Sequence, residues 1–529
     1  ALVVNREMIL EVAPQGPVMV TWANFHYLDF VLNWLAHVNA LGIKPLVGAM
    51  DDKILQALVD RGVHTFAMRS GLSEDDFGWG SASFHKMGRE KIQLIYTFTK
   101  MGFDILVADV DTVWNPFPYM ARYPDADILT SSDHLRNSTA DDGLERFPDA
   151  GSAANIGIML VRKGALSLAK EWNEVLLADD QVWDQNAFND LFRRDMKFDG
   201  PESANRIFRG YDGNLRVGIL PVALFASGHT YFVQRLHEQM GLDVYAVHAT
   251  FQYSGTPGKR HRMRERLLWL ADPPEYYDPP GGLLSFDFQL GDLVNKSVPT
   301  NGGEALEDYK GHFELVNAQL QQIRNAMAVA TALGRTLVIP ALWCGADRWW
   351  APHNGIIPGS ALRLPFQCPL DHVLDLEQMS KEFPEAEFGP DIPYREYSFL
   401  DNPKTNITEA GIFNVVVCQV RRDCRPPDAQ ANSVALQSDP EHASLIQALA
   451  PFSSKRVLHF EDMRHAYGNF PTKEYRDRFE QRTKLYTSLW CCVDKHPGHV
   501  WYDMWWDVIP HTDRHNRIQS GTWVPVTGP

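Results

Sequence analysis

The chain has 529 residues, of which 45% are hydrophobic and 15 are Trp, and its formal net charge is −16 at pH 7. This length predicts two or three domains, and the apolar fraction excludes a globally disordered protein. The negative charge argues against nucleic acid and against an anionic membrane surface as partners.

Strand and helix signals alternate over residues 1–270, which predicts an α/β domain with a largely parallel sheet. The predicted strands are Val18–Trp22, Ile43–Val47, Val63–Ala67, Ile105–Ala108, Ile128–Ser131, Asn155–Val161, Arg216–Leu220 and Val244–Val247. The predicted helices are Leu28–Ala40, Ile54–Arg61, Phe84–Lys100, Ala165–Leu177 and Asn186–Arg194. We assign residues 1–271 to this first domain.

A stretch rich in Pro and Gly follows and predicts a linker over residues 272–303. The second predicted domain, residues 304–529, opens with an amphipathic helix from Phe313 to Leu333 that leads into a strand. Every cysteine lies in this second half, at positions that match no zinc-site spacing: Cys344, Cys368, Cys418, Cys424, Cys491 and Cys492. We therefore expect disulfides, whose connectivity the sequence does not determine.

The sequence contains no run of eighteen apolar residues, and its first residues are not a signal peptide. Because the chain begins with Ala1 rather than Met, we expect a membrane anchor upstream. Three glycosylation sequons occur, at Asn137-Ser-Thr, Asn295-Lys-Ser and Asn406-Ile-Thr. Together with the cysteines they favour a secretory compartment.

The motif Asp109-Val110-Asp111 closes the apolar strand predicted over Ile105–Ala108. Two carboxylates at the carboxyl end of a strand suit Mg²⁺ or Mn²⁺, which fills its other positions with phosphate oxygens. A solvated loop is one alternative. Another is a haloacid-dehalogenase-type phosphatase, because Val113 completes that motif. The phosphatase motif usually opens its domain, however, whereas 108 residues precede it here, and the later acidic pair at residues 179–180 follows a helical segment.

A third metal ligand is expected from a later strand end, and His248 follows the strand predicted over Val244–Val247. A neutral imidazole completes a Mn²⁺ shell. The loop that follows contains Gly255 and Lys259, a combination that can wrap a diphosphate. A purely structural histidine is the alternative.

Further polar residues are candidates for the contacts of a nucleotide sugar. Thr21 and Asn24 end the first strand, where ligands of open α/β sheets bind, although they could instead cap the next helix. Lys86 and Arg89 lie three apart on one helical face and could neutralise phosphate or remain solvated. Asn155 begins a strand and could reach a sugar hydroxyl.

Asp184 and Gln185 stand at the start of a predicted helix in Trp183-Asp-Gln-Asn. A carboxylate and an amide at this place could flank a reacting anomeric carbon. The alternative role of Asp184 is a helix N-cap.

Several longer strings resemble glycosyltransferase family 77, and within it the extensin arabinosyltransferases of plants and green algae. In the first half they are Thr21-Trp-Ala-Asn, Gly78-Trp-Gly-Ser, Phe84-His-Lys-Met-Gly-Arg-Glu-Lys, Ala121-Arg-Tyr-Pro-Asp-Ala-Asp, Leu129-Thr-Ser-Ser-Asp and Trp183-Asp-Gln-Asn. In the second half they are His312-Phe, Leu362-Arg-Leu-Pro-Phe-Gln-Cys-Pro-Leu-Asp-His-Val and Glu396-Tyr-Ser-Phe-Leu-Asp-Asn-Pro. The resemblance therefore spans most of the chain.

The resemblance implies a GT-A catalytic domain, a Mn²⁺-type Asp-x-Asp motif, retaining stereochemistry and a Golgi type II membrane protein. The implied donor is UDP-β-L-arabinofuranose, and the implied acceptor is an arabinose chain on hydroxyproline of an extensin-like protein. Asp109 and Asp111 match the metal ligands, with His248 as the third, and Asp184 with Gln185 match the active-site groups. The second domain resembles the opening of fucosyltransferase-type GT-B domains, and we expect it to be an accessory domain.

Two alternatives remain from the sequence. A family relative could use UDP-xylose or UDP-galactose, because the residues that select the donor are scattered. A non-catalytic glycan-binding protein could use the same fold.

Overall fold

The computed structural model describes residues 3–68, 81–115, 119–146, 153–197, 205–301, 306–348, 357, 359–418, 432–490, 499–507 and 516–517. The chain forms two compact units, residues 1–251 and residues 252–529. Among the described residues, no helix has the length and hydrophobicity that a membrane span requires.

The first unit contains seven α-helices and eleven strands within its described residues. The helices are α1 (Arg6–Val12), α2 (Leu28–Ala40), α3 (Asp52–Val59), α4 (Ala82–Lys100), α5 (Leu166–Ala178), α6 (Asp184–Phe192) and α7 (Leu236–Met240). The strands are β1 (Val18–Ala23), β2 (Leu46–Ala49), β3 (Thr65–Ala67), β4 (Ile105–Ala108), β5 (Thr112–Trp114), β6 (Ile128–Ser132), β7 (Ala154–Val161), β8 (Phe208–Gly210), β9 (Leu215–Ile219), β10 (Phe225–Ser227) and β11 (Ala246–His248).

Eight of these strands form one mixed sheet in the order β3-β2-β1-β4-β7-β6-β9-β8. The first four strands are parallel, and β7 runs antiparallel to both β4 and β6. Therefore β1, β4 and β6 end at one edge of the sheet, and β7 begins there. A second sheet, β10-β11-β5, adds His248 opposite Thr112. The predicted α/β class is confirmed.

Helices cover both faces of the large sheet, which explains why its central strands are buried throughout. Ile95 of α4 and Trp172 of α5 pack in the same buried cluster as Val20 of β1. On the other face, Trp34 of α2 packs with Met19 of β1. Neighbouring residues of β1 thus point to opposite cores, as the pleat of a strand requires.

The second unit contains a six-stranded, fully parallel sheet in the order β16-β13-β12-β19-β17-β18. Its described strands are β12 (Leu283–Phe286), β13 (Thr336–Val338), β14 (Leu342–Cys344), β15 (Phe366–Cys368), β16 (Tyr394–Arg395), β17 (Ile412–Cys418), β18 (Ser433–Gln437), β19 (Val457–Phe460), β20 (Leu489–Trp490), β21 (His499–Trp501) and β22 (Asn516–Arg517). Its described helices are α8 (Gly255–Glu265), α9 (Pro274–Tyr277), α10 (Leu293–Lys296), α11 (Lys310–Leu333), α12 (Leu376–Met379), α13 (Glu385–Phe388), α14 (His442–Leu449) and α15 (Lys473–Thr483).

The domain boundary differs from the predicted one. Residues 252–271, which include α8, belong to the second unit rather than the first. The predicted linker over residues 272–303 contains β12, a fully buried strand inside the six-stranded sheet. The Pro- and Gly-rich segment before β12 is not a flexible linker, because its backbone packs closely against the backbone at Gly334. A Cβ at Gly281 would lie 2.1 Å from the carbonyl oxygen of Gly334, and its φ is +81°, so only glycine fits there.

The expectation of disulfides in the second half is confirmed for the described cysteines. Cys344 of β14 is bonded to Cys368 of the adjacent strand β15, and Cys418 is also disulfide-bonded. Cys424, Cys491 and Cys492 lie outside the described residues.

Candidate metal and donor site

The three predicted metal ligands meet at the edge where β1, β4 and β6 end. Asp109 and Asp111 flank the turn from β4 to β5, and His248 ends β11. The Nε2 atom of His248 lies 3.2 Å from Oδ1 of Asp111 and 3.7 Å from Oδ2 of Asp109. One ligand atom from each residue lies within 4.8 Å of the others. Two carboxylate oxygens and one imidazole nitrogen at this spacing fit a divalent cation.

Strand β7 holds the Asp109 backbone in place and packs against the side chains of the cluster. The Asp109 N–H donates to the carbonyl oxygen of Gly157 at 2.8 Å, and the Gly157 N–H donates to Oδ1 of Asn155 at 2.8 Å. A Cβ at Gly157 would lie 2.2 Å from Cε1 of His248 and 2.9 Å from Oδ2 of Asp109. Glycine is therefore required for the imidazole and the carboxylate to approach each other.

A buried cation, Lys91, lies beside the cluster and was not among the site residues predicted from the sequence. Its Nζ lies 2.8 Å from Oδ1 of Asp109 and 5.1 Å from the ring centre of Trp22, and its side chain is 5% exposed. Gly88, Lys91 and Ile92 share the buried face of α4, spaced three and four residues apart. Lys91 stands at a position of α4 where the three- and four-residue spacing predicts a buried side chain. This spacing is the signal that could have identified Lys91 from the sequence.

The predicted phosphate-binding residues of α4 lie off its buried face. Arg89 donates from Nη1 to the carbonyl oxygen of Asp180 at 3.1 Å. Lys86 and Arg89 both act electrostatically on Glu90, opposing the effect of burial, which raises the pKa of that carboxyl. A role of Lys86 and Arg89 in donor binding stays a prediction.

Asp184 is the first residue of α6 and not its N-cap, a position that Trp183 occupies. Its carboxylate packs directly on α4, because a Cβ at Gly88 would lie 2.8 Å from Oδ2 of Asp184. Burial raises the pKa of Asp184, while the charge of Lys91 lowers it. Lys91 thus acts on the carboxylates of both Asp109 and Asp184.

Gln185 and Asn155 converge on a further carboxylate, Asp133. Nε2 of Gln185 donates to Oδ2 of Asp133 at 3.1 Å, and Nδ2 of Asn155 donates to Oδ1 at 2.9 Å. Burial raises the pKa of Asp133. Asp133 was not among the site residues predicted from the sequence, although it follows β6 as Asp109 follows β4. Asp133 could be assigned to the site only once it was known that β4 and β6 run in the same direction.

The remaining predicted contacts are distributed over both units. Thr21 and Asn24 are fully buried at the end of β1, and Oγ1 of Thr21 has no hydrogen-bond partner among the described residues. Val110 is half-buried against the apolar cluster on the α2 face of the sheet. Gly255 begins α8 with φ +58°, and Lys259 lies in the same helix, so both belong to the second unit. Their role in donor binding stays a prediction.

A carboxylate pair and a histidine at the carboxyl edge of an α/β sheet are typical of enzymes that hold a metal–diphosphate. The sequence model of the nucleotide-diphospho-sugar transferase family matches residues 43–263. The arabinosyltransferase XEG113 of Arabidopsis thaliana is 46% identical over 520 residues, which are 96% of this chain and 79% of that protein. The UDP-D-xylose:L-fucose α-1,3-D-xylosyltransferase 3 of the same plant is 25% identical over 51% of this chain and 71% of its own length.

Among solved structures, the galactosyltransferase LgtC in complex with donor and acceptor sugar analogues is 14% identical, with a TM-score of 0.27 over 48% of this chain and 92% of LgtC. Mouse xyloside xylosyltransferase 1 in its apo form is 11% identical, with a TM-score of 0.25 over 45% of this chain and 98% of that chain.

The chain belongs to the nucleotide-diphospho-sugar transferases of glycosyltransferase family 77. It is therefore a glycosyltransferase with a nucleotide-sugar donor and a divalent metal, and the predicted GT-A class is confirmed. The family favours neither the phosphatase alternative nor the non-catalytic one. The Gly78-Trp-Gly part of the string at residues 78–81 lies outside the described residues.

Proposed function

We propose that the chain transfers L-arabinofuranose from UDP-β-L-arabinofuranose to arabinose chains on hydroxyproline of extensin-type glycoproteins, with retention of configuration, in the Golgi lumen. The observation that carries this proposal is the 46% identity to an arabinosyltransferase over 96% of the chain. The cluster of Asp109, Asp111 and His248 supports the use of a diphosphate donor.

We assign Asp109, Asp111 and His248 to a Mn²⁺ ion, with Mg²⁺ as the substitute. When bound, this ion would stabilise the negative charge that develops on the departing UDP. Lys91 keeps the Asp109 carboxylate oriented through the 2.8 Å ion pair. Gly157 leaves room for the imidazole of His248 against β7. These two residues are positioning residues rather than ligands.

The donor sugar is assigned to the surface that Asp133, Asn155, Asp184 and Gln185 form around the start of α6. Asp133 holds the amide groups of Asn155 and Gln185 by hydrogen bonds, so their remaining polar atoms are oriented before a sugar binds. Asp184 presents a carboxylate beside Lys91. Asp184 and Gln185 are our candidates for the groups that act at the anomeric carbon.

The nucleoside is assigned to the end of β1, where the buried hydroxyl of Thr21 and the amide of Asn24 lie. Lys86 and Arg89 of α4 are retained as proposed contacts of the diphosphate. We propose that the rest of the second unit is an accessory domain.

The proposal is tested by supplying the full chain and Mn²⁺ with UDP-β-L-arabinofuranose, UDP-xylose or UDP-galactose and a hydroxyproline-linked arabinoside. We expect transfer from the arabinofuranose donor, and NMR should show a β-linked product, because retention preserves the donor configuration. Preferred transfer from UDP-xylose, the donor in the names of the 25% identical relatives, would overturn the donor assignment. An α-linked product would overturn retention.

A further inference from the structure

The three glycosylation sequons differ in how exposed their residues are and in the hydrogen bonds that their side chains form. The sequons are centred on Asn137 in the first unit and on Asn295 and Asn406 in the second. An N-linked glycan is bulky and hydrophilic, so a folded protein retains it where the asparagine is exposed and its carboxamide is not part of the local structure.

Asn406 lies at the end of a short 3-10 turn, Pro403–Thr405, in the left-handed region with φ +52°. Asparagine adopts this conformation more readily than most residues. Beneath it, Thr405 is 1% exposed, and its hydroxyl donates to the carbonyl oxygen of Asn402 at 2.8 Å. The turn is therefore secured by Thr405, while the Asn406 side chain is exposed.

The next residue anchors the sequon to the core. Ile407 is half-buried and packs against a cluster that includes Leu283 of β12 and Val457 of β19. Thr408 is exposed and has extended backbone angles, φ −114° and ψ 160°. The two residues that an oligosaccharyltransferase recognises, Asn406 and Thr408, are thus exposed on either side of an inward-facing isoleucine.

The sequon at Asn137 is built into the first unit. Nδ2 of Asn137 donates to the carbonyl oxygen of Thr139 at 2.7 Å. The N–H and the hydroxyl of Ser138 both donate to Oε2 of Glu145, at 2.6 Å and 2.5 Å, and Glu145 is 1% exposed. The amide of Asn137 and the middle residue of the sequon, Ser138, are therefore both part of the hydrogen bonding that holds this loop.

The sequon at Asn295 is helical. Asn295 is exposed in α10, but Ser297 is completely buried, and its hydroxyl donates to the carbonyl oxygen of Val294 at 2.7 Å. Residues two apart on a helix do not share a face. The hydroxyl and the amide therefore point in different directions in the folded chain.

We propose that Asn406 carries an N-linked glycan and that Asn137 does not. Nδ2 of Asn406 forms a bond to the anomeric carbon of an oligosaccharide carried on a polyprenyl diphosphate. The bond from that carbon to the diphosphate oxygen breaks, and the amide loses one proton. The inference rests on the proposed function only in that the protein must pass through the secretory pathway.

The test uses the full-length protein purified from plant cells. A peptide-N-glycanase active on plant glycans, applied in ¹⁸O-labelled water, converts a glycosylated asparagine to ¹⁸O-labelled aspartate, which peptide mass spectrometry locates. We expect the label at residue 406 and none at residue 137. Asn406→Gln and Thr408→Ala should each lose one glycan mass, and Asn137→Gln should lose none. The Thr408→Ala variant keeps Asn406 in its turn, so it also separates loss of the acceptor from a folding defect.

An unlabelled Asn406, or an unchanged glycan mass in both Asn406→Gln and Thr408→Ala, would overturn the proposal, as would a label at residue 137. Arabinosyl transfer is measured on the same preparations and should be unchanged in the Thr408→Ala variant. A labelled Asn406 in a protein without transferase activity would contradict the proposed function and leave this inference standing.

Discussion

The two units each contain a cluster of charged side chains, and the clusters differ in how their carboxylates are neutralised. In the first unit, Asp109 and Asp111 meet His248 at the edge of the sheet, and Lys91 forms an ion pair with Asp109. Asp109 retains a side chain that is 30% exposed. This cluster holds more carboxylates than the nearby Lys91 can balance, which is the condition in which a divalent cation binds.

In the second unit the charges neutralise one another. Asp371 is completely buried, and both its carboxylate oxygens accept from Nε of Arg262 at 2.9 Å. The N–H of Tyr253 donates to the same carboxylate at 2.8 Å, and His372 contacts Asp347 at 3.0 Å. Burial would raise the pKa of Asp371, but Arg262 and His372 lower it to about 2.

The cluster of the first unit therefore has the character of a binding site, and the cluster of the second unit that of a structural network. Both clusters are buried or half-buried, and both contain the Asp and His residues that motif searches select. The first brings the carboxylates of Asp109 and Asp111 together beside a single lysine at a strand edge, whereas the second pairs Asp371 with both Arg262 and His372. Removal of a single charge should therefore impair function in the first unit and folding in the second.

The largest effect is expected from Asp184→Asn, because Asp184 is assigned to the reacting sugar. We expect turnover to fall by about 10²–10⁴-fold with UDP–Mn²⁺ affinity and melting temperature nearly unchanged. Gln185→Ala should behave alike. Steady-state kinetics and thermal melting provide the measurements.

The matched control is Asp190→Asn, an exposed aspartate of the same helix, which should retain wild-type turnover. Wild-type turnover in both Asp184→Asn and Gln185→Ala would return this pair to a structural role.

The second prediction concerns folding. Arg262→Met leaves Asp371 buried without its cation, and breaking a buried pair in this way costs about 3–5 kcal/mol. We expect a large fall in melting temperature. Below that temperature UDP–Mn²⁺ affinity should be unchanged.

Arg194→Met is the control, because Arg194 is 42% exposed in its pairs with Glu171 and Asp212, and exposed pairs contribute about 0–1 kcal/mol. Equal melting of the Arg262→Met variant and wild type would remove the distinction between the two clusters.

Gly157→Ala tests how closely β7 approaches the metal ligands. The added Cβ would lie 2.2 Å from the imidazole of His248, so His248 must move. We expect weaker Mn²⁺ binding by calorimetry and overpacking that costs about 1–3 kcal/mol. Gly411→Ala is the control, since a Cβ there meets no atom within 4 Å. Undiminished Mn²⁺ affinity in Gly157→Ala would contradict the assignment of His248 as a ligand.

The last prediction concerns a buried carboxyl beside the second cluster. Burial raises the pKa of Glu265 from 4.5 to about 8. A folded pKa above the unfolded one contributes stability that is present below pH 4.5 and lost as the pH rises through 8. Glu265→Gln keeps an oxygen to accept from the N–H of Leu370 and does not titrate.

We therefore expect the Glu265→Gln variant to melt above wild type at pH 8, by more than at pH 5. Parallel melting curves across this pH range would show that Glu265 is not held neutral.

The sequence predicted the parts of the site that one strand or motif specifies. Asp109 and Asp111 follow an apolar strand, and His248 ends a later one, so their meeting at one edge followed from general sheet geometry. Lys91 was missed because it is close in sequence to Lys86 and Arg89, and three basic residues so close together usually indicate a solvent-exposed helix face. The helical phase that buries it became clear only from its packing with Trp22.

The boundary between the units could not be predicted from composition. Pro and Gly residues before β12 resemble a linker, and the strand itself is only four residues long. Its identity as a central strand depends on partners far away in sequence, β13 and β19. Asp133 was missed for a related reason, because its place beside Gln185 depends on the order of strands in the sheet.

The most direct test of the central claim is a thermal-shift measurement of wild type and Asp111→Asn, with UDP, with Mn²⁺ and with both. A ligand that binds only the folded state raises the melting temperature by mass action. We predict a clear rise for wild type when UDP and Mn²⁺ are both present, little change with UDP alone, and no rise for Asp111→Asn, whose metal-free melting temperature should match wild type. An equal UDP-dependent rise in Asp111→Asn, or in wild type without metal, would contradict the assignment of this cluster as the metal–diphosphate site.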